Sequence, residues 1–274
     1  MFGKGLWIIS SGREEVPDSY DANSENGYTS TPTTYTISSV ADADAFCKRF
    51  QRKYGYKDSE ATLHIGDKVQ INDGTYNVDW YVAGFDVEHN RTAIDGTAYD
   101  NGYGIALIPT TVIGKSKWNT TETIDGAYMS SFMHTSVLPG IITLLKTVLG
   151  DHIVNRNVLL SNSIGPRSTS GSGSRYYVSS SYQWTTAYAT LMSYYQILNK
   201  ASSYKYDDGE ANYHLPLFKS IKYYNGTVNS DYWIRTCTYK ITDWPCAVEI
   251  GYAGMIASAN VTGTSGVRPL IYIR

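Results

Sequence analysis

Hydrophobic residues change their spacing several times along the chain, and each spacing predicts a different element. After Ser39, a residue type that caps helices, acidic residues come early, basic residues come late, and Phe46 and Phe50 lie about one helical turn apart. This pattern predicts a short helix that ends near Gly55. Residues 10–36 before it are rich in Ser, Thr, Asn, Glu and Pro, so we expect an extended arm there without a core of its own.

Apolar and polar residues alternate from Leu63 onward, which is the period of a strand with one buried face. An Asn-Asp-Gly turn at residues 72–74 separates this stretch from a similar one at residues 76–85, and the pair predicts a β-hairpin. A further strand is predicted at residues 103–109, after an Asn-Gly turn.

Helical spacing returns in the middle of the chain. It predicts two short helices, at residues 126–135 and 138–149, because Pro139 suits a first helical turn and Gly150 suits a helix end.

The pattern is less regular further on. Residues 161–181 are rich in Ser and Gly, which predicts a long exposed loop, and residues 190–197 fit a strand or a helix equally well. Residues 214–218 form an apolar knot that we expect to be buried. From Tyr232 onward, short strands are predicted between glycine turns.

Composition narrows the function classes. Charged residues make up 18% of the chain and the formal net charge is -2, which disfavours nucleic acid and anionic membranes as partners. The 25 Tyr and 6 Trp among many Ser, Thr and Asn fit a binding surface, but strands of any function also favour Tyr and Thr. The apolar run at residues 6–9 is too short for a secretion signal and no run of about 18 apolar residues occurs, so we expect no membrane span and no signal peptide.

Residues that could carry chemistry are scattered. Cys47, Cys237 and Cys246 are too few for a disulfide framework, although Cys237 and Cys246 could bridge a hairpin or remain small buried thiols. Acidic groups at residues 86–89 and 207–210 fit solvated turns better than metal sites, so no metal or cofactor is expected. The histidines show no catalytic motif and are expected on the surface or at caps; they are His64, His89, His134, His152 and His214.

The carboxy-terminal part has a framed layout. One end carries Trp233 and Arg235, and the other carries Gly266, Arg268 and Pro269. A stretch rich in aromatic residues lies between the two ends.

Several blocks in one order resemble a group of phage and bacterial proteins with a C-type-lectin-like fold. The resemblance covers roughly residues 60–274, and its blocks lie at residues 79–86, 101–105, 126–129, 191–193, 215–218, 232–235 and 266–269. It implies an α+β fold with twisted antiparallel strands, two short helices and long loops in residues 61–274, preceded by a small attachment module in residues 1–60. The chain lacks the Glu-Pro-Asn and Trp-Asn-Asp motifs of calcium-dependent lectins, so calcium-mediated sugar binding is not implied.

The resemblance also implies roles for the framed residues. Trp233, Arg235, Gly266, Arg268 and Pro269 would be structural, with the Arg268 guanidinium tying loop carbonyls or a carboxylate. The terminal Arg-Pro strand would pair with the strand that bears Trp233. The ligand contacts would point outward from one surface and are Tyr239, Trp244, Glu249, Tyr252 and Met255.

These features together predict a structural protein of a phage virion, in a tail fibre, tail tip or head fibre. It would assemble in the bacterial cytoplasm as a homotrimer, contact other virion proteins through its amino-terminal arm, and bind a host glycan or surface protein without catalysis. The first alternative is a capsid decoration protein. The second is an oxidase of the formylglycine-generating type, because Cys237 and Cys246 lie late in a similar fold.

Overall fold

The computed structural model describes residues 31–50, 63–164, 168–169, 175–176, 179–198, 213–219, 230–239, 245–251 and 256–274. The described strands, in chain order, are β1 Thr34–Ile37, β2 Lys68–Asn72, β3 Asn77–Phe85, β4 Arg91–Thr92, β5 Ala98–Tyr99, β6 Ile105–Pro109, β7 Lys115–Lys117, β8 Arg156–Ile164, β9 Ser168–Thr169, β10 Arg175–Tyr176, β11 Ser179–Ala187, β12 Ala189–Leu191, β13 Tyr232–Tyr239, β14 Pro245–Ile250, β15 Ile256–Asn260, β16 Thr264–Gly266 and β17 Pro269–Ile273. The described helices are α1 Val40–Arg49, α2 Leu138–Leu149 and α3 Tyr194–Leu198, with a π-helix at Met133–Val137 and 3-10 turns at Gly150–His152 and Pro216–Lys219.

Two larger sheets organise these elements. The six-stranded sheet has the order β1-β2-β3-β6-β17-β12, and the five-stranded sheet has the order β15-β14-β13-β16-β7. Three two-stranded pairs, β8 with β11, β9 with β10 and β4 with β5, complete the described strands. The fold is therefore mixed α+β, with most of its regular residues in strands, as the sequence predicted.

One hydrophobic core joins the two sheets. Its largest side chains include Trp80 from the six-stranded sheet, Trp233 from the five-stranded sheet and Trp118 just after β7, and none of the three exposes any surface. Large indoles at this position fix the two sheets against each other, because a packed interior resists the volume change that sliding would require.

The predicted helix after Ser39 is confirmed as α1. The Ser39 hydroxyl accepts a hydrogen bond from the Asp42 amide at 3.2 Å, and Ala43, Phe46 and Cys47 form its buried face. Strand β1, which precedes α1, pairs in parallel with β2.

The separate amino-terminal module predicted for residues 1–60 needs correction in its described part. Residues 34–50 lie in the sheet and core of the main domain, because β1 needs β2 to satisfy its backbone and the apolar face of α1 needs the common core. The predicted arm at residues 10–36 is wrong at residues 34–36, which belong to β1, and its residues up to 30 lie outside the described residues.

The predicted hairpin over residues 63–85 is confirmed as β2 and β3, with Gly74 in the left-handed region at φ 91°. Its first strand begins at Lys68 instead of Leu63. The Asp67 carboxylate accepts the Thr33 and His64 amides, both at 2.8 Å, and this bends the chain before β2. The strand predicted at residues 103–109 is confirmed as β6.

The second predicted helix is confirmed as α2, but the first, at residues 126–135, is wrong. Gly126 and Ala127 have φ values of 73° and 50°, which a right-handed helix does not accept, so this stretch forms turns. A π-helix at Met133–Val137 then leads directly into α2.

The exposed loop predicted at residues 161–181 is also wrong at its two ends. Strands β8 and β11 form a long antiparallel hairpin that includes residues 161–164 and 179–181. Small polar residues misled the sequence interpretation, because they can also occupy paired strands, and Ser161 of β8 is buried.

Two further stretches are settled by the structure. Residues 190–197 divide between strand β12 and helix α3. The apolar knot at residues 214–218 is confirmed, since Leu215, Pro216, Leu217 and Phe218 are buried.

One segment, Met133–His152, is long and apolar enough to cross a membrane by length and composition, with a mean hydropathy of 1.2. In the fold it contributes Leu138, Leu145 and Leu149 to the core. About a third of its most apolar stretch is buried in the fold, and Leu144 is 50% exposed.

Candidate ligand-binding surface

Four of the carboxy-terminal residues that the sequence singled out lie on a three-stranded meander, β13-β14-β15; they are Trp233, Arg235, Tyr239 and Glu249. Strand β13 pairs with β14 from Tyr232 opposite Ile250 to Tyr239 opposite Pro245. Between Trp233 and Cys237 the register shifts, so that residues 234–236 face only residue 248. Such a bulge bends a strand and increases its twist, and it can redirect side chains into a core.

The strand that pairs with β13 is not the predicted one. We define the frame as Trp233, Arg235, Gly266, Arg268 and Pro269. The terminal strand β17 does not pair with β13, because it lies in the six-stranded sheet between β6 and β12. Strand β16 makes the junction instead: Gly266 stands opposite Tyr232, and its amide donates to the Asp231 carbonyl at 3.0 Å.

Gly266 is required at this junction for steric reasons. A Cβ at that position would lie 2.5 Å from the Asp231 carbonyl oxygen and closer still to the Val112 side chain. Only a residue without a side chain permits this approach of the two backbones.

Arg268 makes a structural contact of the kind that the sequence predicted. Its side chain is 2% exposed, its Nε donates to the Pro109 carbonyl at 2.8 Å, and its guanidinium lies 5.2 Å from the Tyr232 ring centroid. Trp233 is likewise buried, and its indole nitrogen donates to the Ser116 carbonyl at 2.8 Å. The frame is thus a packed base under the meander, with Pro269 buried at the start of β17.

Of the predicted ligand contacts, Tyr239 and Glu249 belong to described strands. Tyr239 and Pro245 stand at one end of the β13-β14 hairpin, and Ile250 and Ile256 stand at the other end of β14. Five residue steps along β14 separate these ends, a distance of about 17 Å.

Trp244 belongs to the connection at the Tyr239 end, whereas Tyr252 and Met255 belong to the connection at the Ile250 end. The expectation that these residues form one outward-pointing surface stays a prediction. Trp244, Tyr252, Met255 and the side chain of Tyr239 lie outside the described residues.

Glu249 is the predicted contact whose side chain the structure describes. It is half-buried opposite Trp233, near the frame. Partial burial raises the pKa of the Glu249 carboxyl; the nearby Ser265 hydroxyl opposes this effect and the charge of Asp231 adds to it. A carboxylate in this position can accept hydrogen bonds from a ligand.

A histidine that sequence reasoning placed at the surface or at a cap is half-buried. The ring of His134, on the π-helix, lies 5.1 Å from the ring of Tyr128, and its Nδ1 has no hydrogen-bond partner among the described residues. Burial, together with the charge of Arg235, lowers the pKa of His134 to about 4. Arg235 itself is 1% exposed on the β13 bulge. The apolar residues next to His134 in sequence were the available indication of its burial.

A second buried polar group was also missed. Glu88 is 2% exposed, so the interpretation of residues 86–89 as a solvated turn is wrong for this residue. The Glu88 carboxylate accepts three hydrogen bonds: from Arg156 Nη1 at 2.5 Å, from the Tyr213 hydroxyl at 2.7 Å and from the Asn101 side-chain amide at 2.8 Å. The Arg156 guanidinium also lies 4.2 Å from the Tyr272 ring centroid. This network ties four distant segments of the chain together.

Within the described residues, no group of three or more His, Cys, Asp or Glu side chains is placed to hold a metal ion. Cys47 and Cys246 are buried, and burial raises the pKa of the Cys47 thiol to about 12. Cys246 stands opposite Thr238 in the hairpin register, not opposite Cys237. The side chain of Cys237 lies outside the described residues, so its pairing with Cys246 stays a prediction.

Comparison with protein-family models, with curated proteins and with solved structures finds no match for this chain.

Proposed function

We propose that this protein is a structural component of a phage virion whose C-type-lectin-like domain binds a host surface component without covalent chemistry. The observation that carries the proposal is the buried frame beneath the β13-β14-β15 meander. Trp233 and Arg268 anchor the base of the meander, while its connections hold Trp244, Tyr252 and Met255. Aromatic side chains on a stiff support lose little conformational freedom on binding, which favours recognition.

Avidity explains how such a protein would act on a particle. Repeated copies, for which we propose a homotrimer as the unit, convert weak single contacts into firm attachment to a cell-wall glycan or surface protein. Residues 1–30 would contact neighbouring virion proteins. Deleting residues 1–30 leaves β1 intact and is expected to release the protein from particles.

Replacing Tyr239, Trp244 and Tyr252 together by Ala tests the binding role. Adsorption of particles to host cells is expected to fall while particle yield and protein content stay unchanged. Thr143→Ala, at an exposed position of α2, is the matched control. Unchanged adsorption of the triple variant would refute the receptor-binding role and favour a decoration protein.

The two ends of the meander can be tested separately. One variant carries Tyr239→Ala with Trp244→Ala, and the other carries Tyr252→Ala with Met255→Ala. Because about 17 Å of β14 separates the two connections, we expect one double variant to account for most of the adsorption loss. Equal partial losses would instead indicate a ligand long enough to reach both ends.

A further inference from the structure

The β8-β11 hairpin carries a row of aromatic side chains on one face. Tyr182 and Trp184 are two residues apart on β11, so they lie on the same face at a separation of about 7 Å. The Trp184 ring meets Tyr99 of β5 with ring centroids 5.3 Å apart. All three side chains are partly exposed, and we call them the aromatic row.

Trp184 is held in place by a polar contact. Its indole nitrogen donates to the Asp95 carboxylate at 3.2 Å, and Asp95 in turn accepts the Thr97 amide at 2.9 Å. The shallow cleft between Trp184, Tyr99 and Asn157 is too narrow to admit a water molecule. A ligand ring would therefore lie across the exposed aromatic edges and not enter a pocket.

Apart from Asp95 beside Trp184 and Arg91 opposite Tyr99, the surroundings of the aromatic row are polar and uncharged. Residues 157–164 of β8 and 179–187 of β11 contain no Asp, Glu, Lys or Arg. Asn157 and Thr186 are exposed and directly opposite each other on the face that bears Trp184. They offer hydrogen-bond donors and acceptors beside an apolar surface.

We propose that this face binds a neutral oligosaccharide. Pyranose rings present C–H groups that pack on aromatic rings and hydroxyls that pair with amide and hydroxyl side chains, and the aromatic row with Asn157 and Thr186 supplies both. The Asp95 carboxylate disfavours anionic sugars and nucleic acid. The inference rests on the proposed function, because it names the chemical class of one host ligand, but it places the contact on a surface other than the β13-β14-β15 meander.

The test is binding of the full chain to an array of immobilised neutral oligosaccharides of one to six sugars, followed by calorimetry with the best binder. Trp184→Ala is expected to weaken binding about tenfold or more, and Tyr182→Ala about fivefold, from the loss of ring stacking. Gln183→Ala is the matched control, because Gln183 is exposed on the opposite face of β11.

Trp184 also packs against Tyr99, so Trp184→Phe serves as a second variant that keeps a ring at this position. It is expected to fold with the parent unfolding midpoint and to bind more weakly. Absence of binding to every neutral oligosaccharide on the array would overturn the inference, as would full affinity in both Tyr182→Ala and Trp184→Ala.

The array uses protein without particles, so its result is independent of adsorption. If only the variants at Tyr239, Trp244 and Tyr252 lose oligosaccharide binding, the inference fails while the proposed function stands. If the row variants lose oligosaccharide binding and the meander variants keep full adsorption, the inference stands and the proposed role of the meander fails.

Discussion

The half-buried His134 makes the stability of the fold sensitive to mild acid. In the folded protein its pKa is lowered to about 4 from the ordinary 6.5, so the folded state keeps the ring neutral where the unfolded chain binds a proton. The stability from this group is therefore present above pH 6.5 and is lost as the pH falls toward 4. A pKa difference of one unit corresponds to about 1.4 kcal/mol, so the lowered pKa of His134 corresponds to about 3 kcal/mol of stability.

Replacing His134 with Phe isolates this effect. Phenylalanine keeps a ring against Tyr128 and removes both the titrating group and the Nδ1 that has no partner among the described residues. At pH 7.5 the free energy of unfolding is expected to change by less than about 1 kcal/mol. Between pH 6.5 and 4 the variant is expected to lose about 3 kcal/mol less stability than the parent protein.

Urea unfolding at a series of pH values, followed by circular dichroism, measures both quantities. Thr143→Ala is the control, because Thr143 is exposed on α2 and carries no titrating group. The control is expected to keep the pH dependence of the parent. If His134→Phe shows the same loss of stability in acid as the parent, the explanation by a half-buried histidine is wrong.

Three further predictions concern the frame, the core network and the first helix, and urea unfolding checks each. Gly266→Ala is expected to lower the free energy of unfolding by about 1–3 kcal/mol, because its Cβ would clash with the Asp231 carbonyl. Gly140→Ala on α2, where a Cβ meets open space, is expected to raise it by about 0.5–1 kcal/mol. Equal effects of the two substitutions would contradict the steric argument. Glu88→Gln leaves the Arg156 guanidinium buried beside a neutral group and is expected to lower the free energy of unfolding by about 3–5 kcal/mol. A double variant that adds Arg156→Met is expected to regain part of that stability. If it regains none, the explanation by an unpaired buried charge is wrong. Ser39→Ala removes the cap of α1 and is expected to cost about 1 kcal/mol; a cost near zero would show that the capping bond is immaterial.

The local elements near the amino terminus could be predicted because neighbouring residues alone specify them. The Ser39 cap, the turn before Gly74 and the Pro139 start of α2 each depend on contacts within a few residues. The prediction at residues 126–135 was wrong because apolar spacing does not reveal the positive φ of Ala127.

The candidate site was only partly predictable, because it depends on contacts between residues far apart in the chain. The order Trp233, Gly266 and Arg268 indicated a framed region, and Gly266 does meet β13. Sequence could not show that β17 joins the other sheet, since strand order depends on which distant partner completes the core. Nor could it show which end of the meander each connection occupies before the strand bounds were known.

The sequence by itself determined the α1 helix, the β2-β3 hairpin and the strand-rich composition of this protein. Neighbouring residues are enough to specify short-range hydrogen bonds and the spacing of buried side chains. Only the tertiary structure decided that His134 is half-buried beside Arg235, that Glu88 meets Arg156, and that Trp184 meets Tyr99. Those contacts join residues far apart in the chain, and their environments arise from packing of the whole core.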